Sequence, residues 1–257
     1  VIKREKPDHL AVAFDNGGSH IRSEAFPAYK QNRQETPEAI KIAVPYIHKI
    51  LEAMHIPIIE KEGFEADDLI GTLSKQAEKE GFQVFMVTPD KDYGQLVRDG
   101  ISIYKPGYQG GDVEILGPKE VCARWDIERV DQVVDMLGLM GDAVDNIPGI
   151  KGVGEKTAAK LLKEYGTLEN VLANADNIKG SIGEKVRAGK DAAIMSKKLA
   201  TIITKSPVVF HEEDFKLKEE QAGAIVADHI IFLQLYELLV KRYIISKRDL
   251  KGIFFQI

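Results

Sequence analysis

The chain has 257 residues, 44% of them hydrophobic, with a formal net charge of -5 and a single cysteine. That is enough apolar material for one domain or two closely joined ones and excludes a disordered chain, while one thiol excludes an internal disulfide framework. The most apolar late segment, AGAIVADHIIFLQLYELLV, carries Asp228, His229, Gln234 and Glu237, and VIKREKPDHL has no signal-peptide core, so the expectation is a cytoplasmic protein that engages no membrane.

Taken in chain order, His9 to Phe14 (HLAVAF) is a short apolar run that suits a buried parallel strand, and Asp15 follows it directly. The polar, basic stretch from Asn16 to Glu35 reads as a loop or a mobile helix pair. Between Pro37 and His55, Ile40, Val44, Ile47, Leu51 and Met54 recur at helical spacing, with Thr36 and Pro37 as start signals and Pro45 as a kink. GFEADDLI opens a second helix, Glu65 to Glu80, with Glu65, Asp67 and Asp68 in its first turn, where the helix dipole tolerates negative charge. Gln83 to Thr88 (QVFMVT) is a second buried strand, followed by Asp90 and Asp92.

ISIYK and VEIL add short strands on either side of the PGYQGGD turn, and from Pro118 onward the pattern is helical, with Cys122 in a small apolar role. The expected architecture is therefore α/β: a central, mostly parallel sheet flanked by helices over 1–117, a helical part over 118–218, and an unassigned helical tail over 219–257.

GDAVDNIPGIKGVGEKTAAKLL, residues 141–162, resembles a phosphate-binding loop at first sight. That loop needs its lysine directly after the last glycine and a strand before it. Here Glu155 separates Gly154 from Lys156, and Val130, Val133, Val134, Leu137 and Met140 upstream have helical spacing, so the glycines join two helices.

Acidic residues thus fall at four places where a strand ends or a helix begins: Asp15; Glu65, Asp67 and Asp68; Asp90 and Asp92; Asp142 and Asp145. The carboxyl ends of strands line one edge of an α/β sheet, the edge where ligands bind. Oxygen-only donors without a nearby histidine or cysteine suit Mg²⁺ or Mn²⁺ rather than zinc. Each group has a plainer reading. EADD caps a helix, GDAVD ends one, and DKD is similar to the nucleophile loop of haloacid-dehalogenase-type phosphatases except that Gly94 stands where a threonine or valine belongs. These eight carboxylates outweigh the formal charge of -5, so the rest of the chain is net basic. Its lysines cluster at Lys151, Lys156, Lys160 and Lys163, and basic residues again at Lys185, Arg187, Lys190, Lys197 and Lys198. A solvated helix face explains either cluster alone.

FDNGGSHIRSEAFPAYKQNRQETPE, GFEADDLIGTLSKQAEKEG, VTPDKDYGQL and GDAVDNIPGIKGVGEKTA, in this order, resemble the motifs of the 5′-nuclease (flap endonuclease) family, most closely a bacterial DNA polymerase I 5′→3′ exonuclease domain. The resemblance spans roughly residues 1 to 210. It implies a monomeric, structure-specific enzyme that cuts DNA at 5′ flaps, nicks and duplex 5′ ends with two or more divalent metals, in replication and repair. By resemblance, Asp15, Glu65, Asp67 and Asp68 surround the first metal and Asp90, Asp92, Asp142 and Asp145 the second. Arg22, Tyr29, Lys30 and Arg33 form a basic arch, near 16–36, that contacts the scissile strand. Gly149, Lys151, Gly152, Gly154, Lys156, Thr157 and Lys160 belong to a helix-three-turn-helix element near 141–163 that holds a duplex phosphate, with K⁺ as a further ligand of its carbonyls. The family's first strand and its aspartate are expected to be missing ahead of Val1, which leaves a competing expectation of a branched-DNA binding module with little turnover. A phosphatase or PIN-type ribonuclease leaves GIKGVG and its lysines unexplained.

Overall fold

The computed structural model describes residues 2–107 and 112–217. The expected tail over 219–257 and the tip of the PGYQGGD turn lie outside them.

The strands form two small sheets. In the first, β1 (Val12–Ala13) runs parallel to β2 (Ile58–Ile59), with Val12 opposite Ile58. In the second, β3 (Val84–Val87) is parallel to β4 (Ile101–Lys105), which pairs antiparallel with β5 (Glu114–Leu116). This corrects the expectation of one central, mostly parallel sheet: among the described residues no ladder joins the two sheets, and the larger is mixed. The first predicted strand is also shorter than its apolar run. The Leu10 amide bonds Phe215 O at 2.9 Å and the Leu217 amide bonds Asp8 O at 2.8 Å, so the start of that run pairs with the far end of the described chain instead of β2.

A short helix, α1 (Ile2–Glu5), precedes β1. The Asn16 to Glu35 stretch contains α2 (His20–Ala25), capped by Ser19, whose Oγ accepts the Arg22 amide, and then a run of turns. The long amphipathic pattern becomes α3 (Glu38–Ala53), with Pro45 inside it. Pro37, not Thr36, occupies its cap position, and no side chain bonds there. EADD begins α4 (Ala66–Lys79), where the Asp68 side chain reaches back to accept the Glu65 amide at 3.3 Å. α4 packs against both sheets and carries its first-turn acids to the rim between them.

After β5 the chain is helical: α5 (Pro118–Trp125), α6 (Gln132–Met140), α7 (Glu155–Tyr165), α8 (Leu168–Ala173), α9 (Gly180–Ala188), α10 (Lys190–Ala200) and α11 (Glu212–Phe215). Met136, Leu137, Leu139, Leu162, Leu168 and Leu199 are buried in one core that also takes in Tyr93, Ile101 and Ile103 from the α/β part. Cys122 is only half-buried, less enclosed than its apolar setting implied. Among the described residues no helix is long and apolar enough to cross a membrane.

Candidate functional site

The acids expected at strand ends and helix starts meet in space through short links. Asp15, just past β1, accepts the Ala66 amide at 2.6 Å and so fastens the β1 end to the first turn of α4. Glu65 is buried. It accepts the Tyr29 hydroxyl at 3.0 Å and the Lys30 ammonium at 2.7 Å. The same ammonium lies 3.6 Å from Asp145, and Arg33 pairs with Asp145 as well, so Lys30 bridges the first acid group to the loop after α6. On the other side of the site, the Asp92 amide donates to Asp90 at 2.9 Å, and Lys91 reaches Asp142 at 3.0 Å. Asp142 is buried, and its other oxygen accepts the Val144 amide at 2.8 Å.

The segment read as an arch does not stand away from the acids. Lys30, with φ at 57°, donates its amide to Asp145 O at 2.9 Å; Asn146 donates to Ala28 O at 2.6 Å and Asn32 to Ala143 O at 2.7 Å. These bonds hold residues 28–33 against the 143–146 loop, with Tyr29 buried beneath. Burial, reinforced by the charge of Glu65, pushes the Tyr29 hydroxyl well above its ordinary pKa, so it remains a proton donor.

Arg22 is placed differently from Lys30 and Arg33. It is only 3% exposed and grips Asp68 through two 2.7 Å bonds, while its Nε donates to Leu199 O at 2.9 Å and its Nη2 to Thr201 O at 3.0 Å. Burial opposes its charge, but the bond to Asp68 and the charges of Asp67, Asp68 and Glu65 outweigh that and hold its pKa above the usual value. Asp68 in turn accepts the Ile203 amide at 2.8 Å and the Glu65 amide at 3.3 Å. Both its oxygens are therefore engaged within the protein, and Arg22 faces inward rather than toward a bound strand.

Two carboxylate oxygens in the site are buried without a hydrogen-bond partner, Asp67 Oδ1 and Asp92 Oδ1, one in each acid group. Burial first, and then the neighbouring Asp68, pushes the Asp67 pKa up to about 7. Burial and Asp90 push that of Asp92 up to about 7. A buried acceptor with nothing to accept is costly, and a divalent cation satisfies it, so this donor set fits a hard, oxygen-seeking metal. Among the described residues, no three Asp, Glu, His or Cys side chains stand close enough together to hold one ion. Lys30 and Arg22 are each paired with two of the acids, and Arg33 and Lys91 with one each.

Beyond Asp142 the chain makes its glycine turn. The amides and carbonyls of Asp142 and Ile147 pair reciprocally, and the Ile150 amide returns to Leu139 O at 2.8 Å. Gly149 is buried: its φ is 58°, a Cβ there would stand 2.3 Å from the Gly141 amide nitrogen, and its own amide donates to Ser196 Oγ at 2.9 Å. Its role is close backbone approach. Lys151, Gly152, Gly154, Lys156 and Lys160 are exposed around the start of α7, with Thr157 half-buried among them. Lys185, from α9, reaches Gly152 O at 3.2 Å and joins this basic face. Sequence reading missed Lys185 as part of the hairpin, although its basic cluster was visible. It missed Lys91 too, whose signal was its position between two aspartates.

Residues 1–126 match the family described as 5′-3′ exonuclease, N-terminal resolvase-like domain, and residues 128–223 match its 5′-3′ exonuclease, C-terminal SAM fold. DNA polymerase I of Bacillus caldotenax is 43% identical over 230 residues, covering 88% of this chain and 26% of that protein. DNA polymerase I of Bacillus subtilis strain 168 is 44% identical over 211 residues, covering 81% and 24%. The chain thus spans about a quarter of the length of these relatives. The fold is similar to a phage T5 5′-exonuclease with bound zinc ions, with a TM-score of 0.67, 20% identity and coverage of 93% of this chain and 86% of that one. It is equally similar to a phage T5 flap endonuclease in a pseudo-enzyme-product complex with DNA and metal ions, with a TM-score of 0.67, 19% identity and coverage of 93% and 86%. With consecutive parts of one family matched along most of its length, the chain belongs to the 5′–3′ exonuclease (flap endonuclease) family and is homologous to the N-terminal exonuclease domain of bacterial DNA polymerase I.

Proposed function

We propose that the protein is a divalent-metal-dependent nuclease that hydrolyses DNA phosphodiesters at 5′ flaps, nicks and duplex 5′ ends, in replication and repair, acting as a monomer. The observation that carries this reading is the single ammonium of Lys30 bridging Glu65 at 2.7 Å and Asp145 at 3.6 Å, beside an exposed lysine hairpin. It joins two acid groups, a phosphate-seeking side chain and a duplex-backbone grip in one site.

With Lys30, Arg33 and Lys91 displaced from them, Asp15, Glu65 and Asp67 would draw together to hold one Mg²⁺ or Mn²⁺, and Asp90, Asp92, Asp142 and Asp145 a second, with Asp68 anchoring the first group from behind. Bound there, such cations supply Lewis-acid stabilisation of charge on the scissile phosphate and an activated water. The chain's own groups do the rest. Lys30 and Arg33 exchange carboxylate partners for the phosphate and offset its growing charge. The Tyr29 hydroxyl holds Glu65 in place. Lys151, Lys156, Lys160 and Lys185 neutralise duplex phosphates without reading bases. Carbonyls of the hairpin would hold a K⁺ ion as a further cation against the duplex phosphate.

The test is cleavage of a 5′-flap DNA, compared with single-stranded RNA, with Mg²⁺ or with chelator, by the wild type and Asp142→Asn. Metal-dependent cleavage of the flap alone, lost in Asp142→Asn while flap binding persists, is the expected result. Flap binding by the wild type without cleavage at any metal concentration would favour a branched-DNA binding module instead.

A further inference from the structure

The last turns of α10 and the residues after it receive bonds from the hairpin, from Arg22 and Asp68 at the first acid group, and from Gln95 beside the second. Ser196 Oγ accepts the Gly149 amide at 2.9 Å, tying α10 to the hairpin. Leu199 O and Thr201 O accept Arg22, whose guanidinium holds Asp68, and the Ile203 amide returns to Asp68 at 2.8 Å. Gln95, three residues after Asp92, donates to Ala200 O at 2.9 Å and accepts the Ile202 amide at 2.9 Å. Helix geometry makes this turn receptive, because the last carbonyls of a helix have no partner within it and favour cationic donors. Ser196 and Leu199 are three residues apart, about 4.5 Å along the axis.

α10 is itself fixed. Lys197 pairs with the buried Asp135 of α6 at 2.6 Å, and Gly138 of α6 lies so close that a Cβ would stand 2.9 Å from Lys197 Cβ and 2.5 Å from Leu168. Neither helix can slide without breaking this contact.

We propose that the Ser196 to Ile203 turn is the ruler of this enzyme. It sets how the duplex-holding hairpin, which carries Asp142 and Asp145, stands against the first acid group and Asp92, and so fixes which phosphodiester is cut. Arg22 and Gln95 are its positioning residues. Neither needs to touch DNA. The inference rests on the nuclease reading above, and it assigns a role to three residues, Arg22, Gln95 and Ser196, that chelate nothing.

The test uses Gln95→Met, Ser196→Ala and Arg22→Lys in the full chain, with two readouts. The first is the length distribution of products from an end-labelled 5′-flap DNA at saturating Mg²⁺. The second is amide hydrogen exchange at Gly149 and Ile203, which needs no activity. Loss of one buried hydrogen bond should speed local exchange about 5- to 30-fold. Each variant should speed exchange at both amides, and the single dominant product should spread over neighbouring positions while duplex affinity stays within about two-fold, since the hairpin lysines are untouched. An unchanged product position, or exchange that rises only next to the substituted residue, overturns the ruler. If Arg22→Lys does not fold, Gln95→Met and Ser196→Ala carry the test. A wild type that cleaves nothing removes the nuclease reading, and the exchange measurement then decides alone whether hairpin and acid group are coupled through this turn.

Discussion

Lys91 Nζ lies 3.0 Å from Asp142 Oδ2 and 5.7 Å from the centre of the Trp125 ring, so one ammonium is held between a carboxylate of the second acid group and an aromatic face. Burial opposes this charge, but the Asp142 bond prevails and raises the Lys91 pKa. The side chain is a third exposed, which limits the pair to about 1 kcal/mol. On the proposed reading, Lys91 and a divalent cation would compete for Asp142. Lys91→Met should tighten Mg²⁺ binding about five-fold, in line with about 1 kcal/mol, as measured by titration calorimetry. Weaker binding in the variant would mean that Lys91 orders Asp142 instead of competing for it.

A second expectation concerns pH. Asp67 and Asp92 have carboxyls raised from 3.8 to about 7, so across that interval the folded protein holds protons that the unfolded chain has released. Stability from these two groups is complete below about pH 4 and declines as pH rises toward about 7. In chelator, their contribution to the melting temperature should therefore fall over this range. Mg²⁺, which needs the ionised carboxylates, should reduce or reverse the fall, and the double variant Asp67→Asn, Asp92→Asn should abolish the difference. A melting temperature that does not respond to Mg²⁺ at any pH would refute the assignment.

On the proposed reading, the hairpin lysines act through charge alone. Replacing Lys151, Lys156 and Lys160 by Ala should weaken binding to every duplex alike and flatten the slope of log K against log salt by up to about 0.9 for each phosphate no longer neutralised. Fluorescence anisotropy over a salt series measures it. A loss that varies with base sequence would contradict a backbone grip.

Gly149 and Gly154 differ in what the fold requires of them. Ala at 149 would adopt φ 58° with its Cβ 2.3 Å from the Gly141 nitrogen and 2.4 Å from Met140 C, so Gly149→Ala should cost at least about 1–3 kcal/mol. Gly154 has φ −104° and open space around a Cβ, so Gly154→Ala should remain within about 1 kcal/mol of wild type. Denaturant melts rank the two, and equal losses would contradict the packing described for the turn.

Much of the local structure was legible because it rests on neighbours in the chain. The acids of EADD mark a helix start, and α4 begins there with Asp68 accepting the Glu65 amide. The glycines between two helical periods mark the turn after α6, and Gly149 needs its positive φ. The setting of Arg22 was not legible, for the converse reason. In sequence it belongs to the same basic stretch as Lys30 and Arg33, and only packing reveals that it is buried against Leu199, a partner 177 residues away along the chain.

What the sequence determined by itself is therefore the inventory and its placement on elements: acids after β1 and β3 and at the start of α4, lysines around the start of α7, and the family to which these motifs belong. Those features follow from period, capping and turn chemistry, which act over a few residues. Tertiary structure alone decided the partners. It set the strands in two small sheets and paired Leu10 with Phe215. It engaged Asp68 with Arg22 while leaving Asp67 and Asp92 with unpartnered buried oxygens, and it gathered Gly149, Arg22 and Gln95 onto one turn of α10. The physical reason is that a buried polar group must find a partner wherever the packed core provides one, and no periodicity along the chain encodes which distant residue that will be.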